Sequence, residues 1–427
     1  VRMRRFDQEA LFDRLLQRDA LDPAWIDGLA RRIAAFHTHA PTASADSAYG
    51  TPEAVLQPAV DNIEALDAAA GPSRRRALDR LRAWTRSTFA GIESGVVERR
   101  HSGHVRECHG DLHLGNIALV DGAPLAFDCI EFNAGLRWID VMSEIAFLVM
   151  DLHDRGRADL GYRCLDGYLQ ATGDYAGIAV LRFYLVYRAL VRAKIHGLRA
   201  QQAGIGGGEA GRLEAATDGY IALARRLAAS EPPALVLMHG FSASGKSRVA
   251  SALVESLGAI RIRSDVERKR LFELDADADS GSAVAGGIYA AEATARTYER
   301  LGELADSLLA TDHPVIVDAA CLAQWQRERL RAVADDRGAP YLIVDCSADT
   351  ATLRSRIRAR AARGVDSSEA TTAVLDHQLA AHDPFTPHER AAVVHCDTGG
   401  PEEHAIETCR ARVRQALATA RIACTDP

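Results

Sequence analysis

Lysine is almost missing from this chain. Its 427 residues include only Lys194, Lys246 and Lys269, against 51 basic residues in all. Positive charge therefore rests on arginine, whose rigid fork suits carboxylates and phosphates. Residues 1–193 hold no lysine, which excludes any lysine contact to a phosphate from that stretch. Paired cysteines are missing too. The eight cysteines are scattered singly, without C-x-x-C or metal-like spacing, which excludes a disulfide framework and fits free thiols in a reducing cytoplasm. No run of eighteen apolar residues occurs, so no membrane-spanning helix is expected. The opening Val1-Arg-Met-Arg-Arg-Phe-Asp7 lacks an apolar core, so no secretory signal is expected and a cytoplasmic location follows. A net charge of −7 argues against nucleic acid as an obligate partner. Oligomeric state leaves no trace in the sequence.

Against these absences stands one complete motif. Gly240 to Ser247 reads G-F-S-A-S-G-K-S, the spacing G-x-x-x-x-G-K-[ST] of a phosphate-binding loop. By average residue usage it arises by chance at about 1 in 25,000 positions. Its glycines let the backbone wrap until successive N–H groups point at a phosphate. Lys246 then supplies charge to the β- and γ-phosphates, and Ser247 offers a hydroxyl to Mg²⁺. Gly240, Ser242, Ser244, Gly245, Lys246, Ser247 and Arg248 are the expected ATP-holding residues. The apolar run Ala234–Met238 precedes the loop and a helical pattern follows, as the motif requires.

The chain reads as two domains, residues 1–230 and 231–427, divided at Glu231-Pro232-Pro233. Residues 1 to about 108 read as helices, with no convincing strand. A hairpin follows, Ile117–Val120 and Ala123–Phe127 around Asp121-Gly122. Helices resume from Val141 to Arg199, and Gly204–Gly211 reads as a flexible connection. From Ala234 strands and helices alternate, with strands expected at Ala234–Met238, Ala259–Arg263, Pro314–Val317, Tyr341–Val344 and Ala391–His395. That pattern predicts an α/β fold with a five-stranded parallel sheet.

A second constellation lies in the first domain. His109-Gly-Asp-Leu-His-Leu-Gly-Asn116 precedes the hairpin, and Asp128 ends it. An Asp that takes a hydroxyl proton, an Asn five residues on and a later Asp suit phosphoryl transfer with a hard cation. This segment resembles the aminoglycoside phosphotransferase family, which includes choline-kinase-like and fructosamine-kinase-like proteins. The resemblance implies a mainly helical, protein-kinase-like C-lobe, Asp111 as base, and Asn116 and Asp128 as Mg²⁺ ligands. It also implies that Asp140, in Arg137-Trp-Ile-Asp140, holds the catalytic loop. The family's β-rich lobe with its phosphate-anchoring Lys has no counterpart here, so the chain is expected to begin near the hinge as a trimmed form, with an incomplete first site. Arg188, Arg192 and Arg199 share one helix face, read either as an attractor for an acidic substrate or as a solvated surface.

In the second domain, Asp265 follows the second strand where an acceptor hydroxyl would sit. It reads as a general base or as a helix cap, with Arg268 available to an anionic substrate group. Asp318 ends an apolar strand as a metal-binding carboxylate should. Arg356 and Arg360 lie in an arginine-dense run that suits a mobile lid. These features resemble small P-loop kinases of the gluconate-kinase and polynucleotide-kinase type, and P-loop proteins fused behind a phosphotransferase-like domain. By that resemblance Asp397-Thr398-Gly399 lies beside the adenine. The expected activity is Mg²⁺–ATP-dependent phosphorylation of a small hydroxylated metabolite. The alternatives are a nucleotide-controlled ATPase switch, a pseudokinase binding module and a nucleic-acid 5′-kinase.

Overall fold

A computed structural model describes residues 7–425 apart from 69, 203, 231, 276–277, 279–281, 283–285 and 364–370. It divides into two compact units, residues 1–230 and 231–427.

The first unit is built on helices: α1 (Phe12–Gln17), α2 (Pro23–His39), α3 (Pro52–Asp67) and α4 (Pro72–His101) come first. Asp22 caps α2 by accepting from the Ala24 N–H, with Pro23 pre-set for the first turn. Then come β1 (Val105–Glu107), β2 (Ile117–Val120), β3 (Ala123–Ala126) and β4 (Trp138–Asp140). β2 and β3 form the hairpin, with Asp121 and Gly122 both at positive φ as its tight turn needs. β1 pairs antiparallel with β4, Val105 opposite Asp140. That pairing corrects the expectation of an uninterrupted helical start. Three residues are too few to show alternation, and the partner lies over thirty positions away.

Helices α5 (Val141–Asp154), α6 (Ala158–Thr172), α7 (Ile178–Ala200) and α8 (Gly207–Ala228) complete the unit. α5 is buried from Val141 to Leu152 and forms its centre. The glycine-rich stretch at 204–211 is only partly a connection, because α8 begins at Gly207 and Glu209 stands in its first turn.

The second unit alternates strand and helix. Its elements are β5 (Ala234–His239), α9 (Lys246–Leu257), β6 (Ile260–Arg263), α10 (Ser264–Leu271), α11 (Ala291–Leu309), β7 (Pro314–Asp318), α12 (Gln324–Asp336) and β8 (Tyr341–Ser347). α13 (Thr350–Arg363), α14 (Thr372–Ala381), α15 (Pro387–Arg390), β9 (Val393–Asp397) and α16 (Glu402–Thr425) follow. The five strands run parallel in the order β6-β7-β5-β8-β9. β5 and β7 are buried along their whole length, which is why they read as unbroken apolar runs. β9 starts two residues later than expected and ends at Asp397, while β8 extends to Ser347. Among the described residues, no helix is long and apolar enough to cross a membrane.

Candidate functional site

The loop between β5 and α9 owes its shape to backbone that side chains resist. Gly240 has φ +137°, and a Cβ there would lie 2.3 Å from the Cys346 carbonyl oxygen on β8. Ala243 (φ +64°) and Gly245 (φ +86°) are also left-handed, so the chain curls before entering α9. Neighbours hold that curl. The Thr398 hydroxyl lies 2.7 Å from Ser244 O and 2.9 Å from Ser347 O, donating to one at a time. Arg356 donates to Ala243 O at 3.3 Å and to Thr398 O at 2.5 Å. Gln378 on α14 accepts from the Ser242 N–H at 2.8 Å. Lys246 Nζ donates to Phe241 O at 2.7 Å, within its own loop. Burial pushes its ammonium pKa down, against the pull of Asp318 and Asp265.

Across from the loop is an acidic wall. Ser247 Oγ donates to Asp318 Oδ1 at 3.3 Å. Asp318 is buried, and its Oδ2 has no hydrogen-bond partner among the described residues. Arg261 and Arg263 stand 3.6 and 3.9 Å from that oxygen. A hydroxyl and a carboxylate with an unfilled oxygen form a donor set that fits Mg²⁺. Burial raises the Asp265 carboxyl, and the nearby Asp318 adds to this while Arg263 opposes it. Asp265 sits in the first turn of α10, and the cap position belongs to Arg263 and not to Asp265.

Other candidates have partners elsewhere. Arg268 is buried, donates to Ile288 O at 2.8 Å and covers the Tyr289 ring at 5.0 Å, bracing the entry to α11. Arg248 is exposed and paired with Glu402 on α16. Arg360 is half-buried on α13, and residues 364–370 of the expected lid lie outside the described residues. Gln378 and the His239–Asp345 pair (2.8 Å) at the end of β5 escaped the sequence reading. Nothing local to either signals its place.

In the first unit, Asp111 and Asn116 meet. Asn116 Nδ2 donates to Asp111 Oδ2 and to its main-chain oxygen, each at 3.0 Å. Burial alone would raise the Asp111 carboxyl, but His113, Arg192 and Arg188 together hold it below the usual range. Asp128 has φ +61°, a left-handed backbone that Asp adopts more readily than most non-glycine residues, directly after Phe127. Phe127 donates its N–H to Asn116 O at 3.0 Å and accepts from His109 Nε2 at 2.8 Å.

The residues that hold this loop are not those the resemblance implied. Asp140 forms a buried double bridge to Arg99 (2.7 and 2.8 Å) and caps α5 through the Met142 N–H. Glu144 holds the loop instead, accepting from the Gly110 N–H at 2.6 Å and from His37 at 2.8 Å. Asp151 accepts from the Leu114 N–H at 3.0 Å. Arg188 is buried, donates to Gly110 O at 3.3 Å and lies 4.8 Å over Phe147. At Arg188 the arginine face is therefore not a solvated surface. Arg199, at its far end, pairs with Glu209 at 2.8 Å.

Two family models match separate stretches of the chain. Residues 3–184 match the model of the phosphotransferase enzyme family, and residues 235–385 match that of an AAA domain. The chain thus joins a stretch similar to the phosphotransferase enzyme family to one similar to an AAA domain that carries the phosphate-loop motif. Uncharacterized proteins of Mycobacterium tuberculosis and Mycobacterium bovis are 32% identical over 319 residues, which is 74% of this chain and 61% of theirs. The chain thus spans about three fifths of the length of those relatives. A gluconokinase from Sinorhizobium meliloti 1021 is 20% identical, covering 45% of this chain and 98% of its own, with a TM-score of 0.33. A Plasmodium vivax ethanolamine kinase is 12% identical, covering 47% of this chain and 60% of its own, with a TM-score of 0.32.

Proposed function

We propose that the P-loop domain transfers a phosphoryl group from ATP to a hydroxyl of a small metabolite. The observation that carries this reading is the convergence of Lys246, Ser247, Asp318 and Asp265 beside a loop shaped for phosphate. The loop N–H groups and Lys246 would hold the β- and γ-phosphates. Ser247 and Asp318 would hold Mg²⁺, which when bound neutralises charge on the transferring group. Asp265 would orient the acceptor hydroxyl and take its proton, a task favoured by a carboxyl titrating above the ordinary Asp range. Arg356 already touches both Ala243 and Thr398 and would stabilise developing charge from the loop's edge, with Arg360 further along the same helix. Little covalent chemistry is asked of the protein, so positioning and electrostatics would carry the rate.

One observation favours a second reading, a nucleotide-controlled switch. Gln378 occupies a loop N–H, so nucleotide entry would release α14. For the phosphotransferase domain, the Asp111–Asn116 contact supports a loop built for chemistry, in which Asn116 and Asp128 would hold the metal.

The test is ATP consumption by the full chain with pooled sugars, sugar acids, amino alcohols and nucleosides. If a pool accelerates turnover and Lys246→Ala lowers it by about 100-fold or more while Asp111→Asn does not, the P-loop domain is the kinase. Loss on Asp111→Asn alone would move the chemistry to the phosphotransferase domain. ATP binding that no pool converts into turnover would favour the switch.

A further inference from the structure

Behind the phosphate loop, where β8, β9 and α16 meet, lie three thiols that phosphoryl transfer does not use. Cys346 and Cys396 stand opposite each other in the β8–β9 register. Cys409 comes from α16 and lines the same cavity as Cys396. All three are buried and none forms a disulfide. A cavity of about 190 Å³ opens beside them, lined by Cys396 and Cys409 but not by Cys346. His395, His404 and Arg412 also line it. That volume holds several waters, each about 30 Å³, and falls short of the ~300 Å³ of a drug-sized pocket. A hydroperoxide fits.

We propose that Cys396 and Cys409 form a peroxide-reactive thiol pair, with Cys396 attacking and Cys409 resolving. The Cys396 thiolate attacks one peroxide oxygen, breaking the O–O bond, to give a sulfenic acid and one water. The Cys409 thiolate then attacks the Cys396 sulfur, the hydroxyl leaves as a second water, and a disulfide forms. Two thiols lose two electrons and two protons, and hydrogen peroxide takes them up. The other two thiols and Arg412 lower the Cys396 thiol pKa, whereas Cys409 is pushed up, which suits these unequal roles. Cys346 is the poorer resolving partner, because the cavity does not reach it.

The bridge has a consequence for the neighbouring loop. A disulfide brings the sulfurs to about 2.05 Å, well inside hydrogen-bond distance. The segment it closes, Asp397–Thr408, contains Thr398, whose hydroxyl supports Ser244. Oxidation therefore loosens that support and weakens ATP binding. This effect rests on the nucleotide-binding reading, whereas the thiol chemistry does not.

The experiment treats the full chain, carrying Cys129→Ala and Cys424→Ala, with hydrogen peroxide alone and maps its peptides by mass spectrometry. A Cys396–Cys409 bridge, reversed by dithiothreitol, is expected without any further variant. Cys409→Ser should stop at a dimedone-trapped sulfenic acid on Cys396, and Cys396→Ser should give neither product. ATP affinity should fall about tenfold on oxidation and return on reduction. A Cys346–Cys396 bridge, or irreversible oxidation without a bridge, would overturn the pair. A bridge that leaves ATP affinity unchanged would overturn only the coupling to the loop.

Discussion

The two domains each present a short motif-bearing loop, and they hold it by opposite means. In the phosphotransferase domain the backbone of His109–Asn116 is gripped by charged side chains on distant helices, Glu144, Asp151 and Arg188. In the P-loop domain the curl is set by left-handed residues and close backbone approach, with Thr398 and Arg356 as outer supports. The first loop is fixed by buried electrostatics and should answer to pH. The second is fixed by sterics and should answer to the addition of a single carbon.

Gly240→Ala should break the second loop most severely. Its Cβ would collide with main chain rather than with a side-chain tip that could swing away, at a φ that L-residues avoid. Backbone strain of roughly 1–3 kcal/mol, plus displacement of β8, puts ATP binding on the order of 100-fold weaker. Isothermal titration would show it, and near-unchanged affinity would remove the steric half of the contrast.

Glu144→Ala should break the first loop, leaving His37 and the Gly110 N–H without their buried acceptor. The expected cost is about 3–5 kcal/mol, read as faster amide exchange across 109–116 and earlier unfolding of the phosphotransferase domain. Its pH dependence sharpens the point. Burial would raise this carboxyl, but hydrogen bonds from His37 and the Gly110 N–H hold it below its ordinary 4.5. Its stabilisation is therefore fully present above pH 4.5 and is lost as pH falls through the lower folded value. The variant should lose less stability than the native chain over that acidic window. Parallel slopes would mean that Glu144 does not carry the effect.

The smallest change expected is from Gln378→Ala. It removes one acceptor from the Ser242 N–H and frees that donor for phosphate, so ATP should bind roughly 2- to 10-fold tighter, in line with about 0.5–1.5 kcal/mol per hydrogen bond. Weaker binding would make Gln378 a support for the loop and not a competitor for its N–H.

The same contrast explains what could be read without coordinates. A loop set by sterics must write its glycines at fixed spacing, so Gly240–Ser247 and its flanking β5 and α9 were legible in the sequence. So were the sheet strands, within a few residues at their ends, because buried parallel strands are continuous apolar runs. A loop gripped by remote side chains leaves no local pattern. Glu144 sits in a stretch otherwise apolar enough to read as pure core, 34 positions from the amide it holds. Arg188 looked like one of a row on an amphipathic face because its partners, Gly110 and Ser143, come from elsewhere in the chain. The three-residue pair β1–β4 escaped for a related reason, being defined by a partner and not by a period.

The scarcity of lysine acquires a practical meaning once the structure is known. Lys269 is buried at 1% exposure, and Lys246 belongs to the phosphate loop with its ammonium pushed toward the free amine. An acylating reagent at mildly alkaline pH meets few side-chain amines on this molecule, and one of them stands where nucleotide would shield it. The chain thus carries a built-in covalent reporter, in which the mass added at a single residue registers whether the loop is filled.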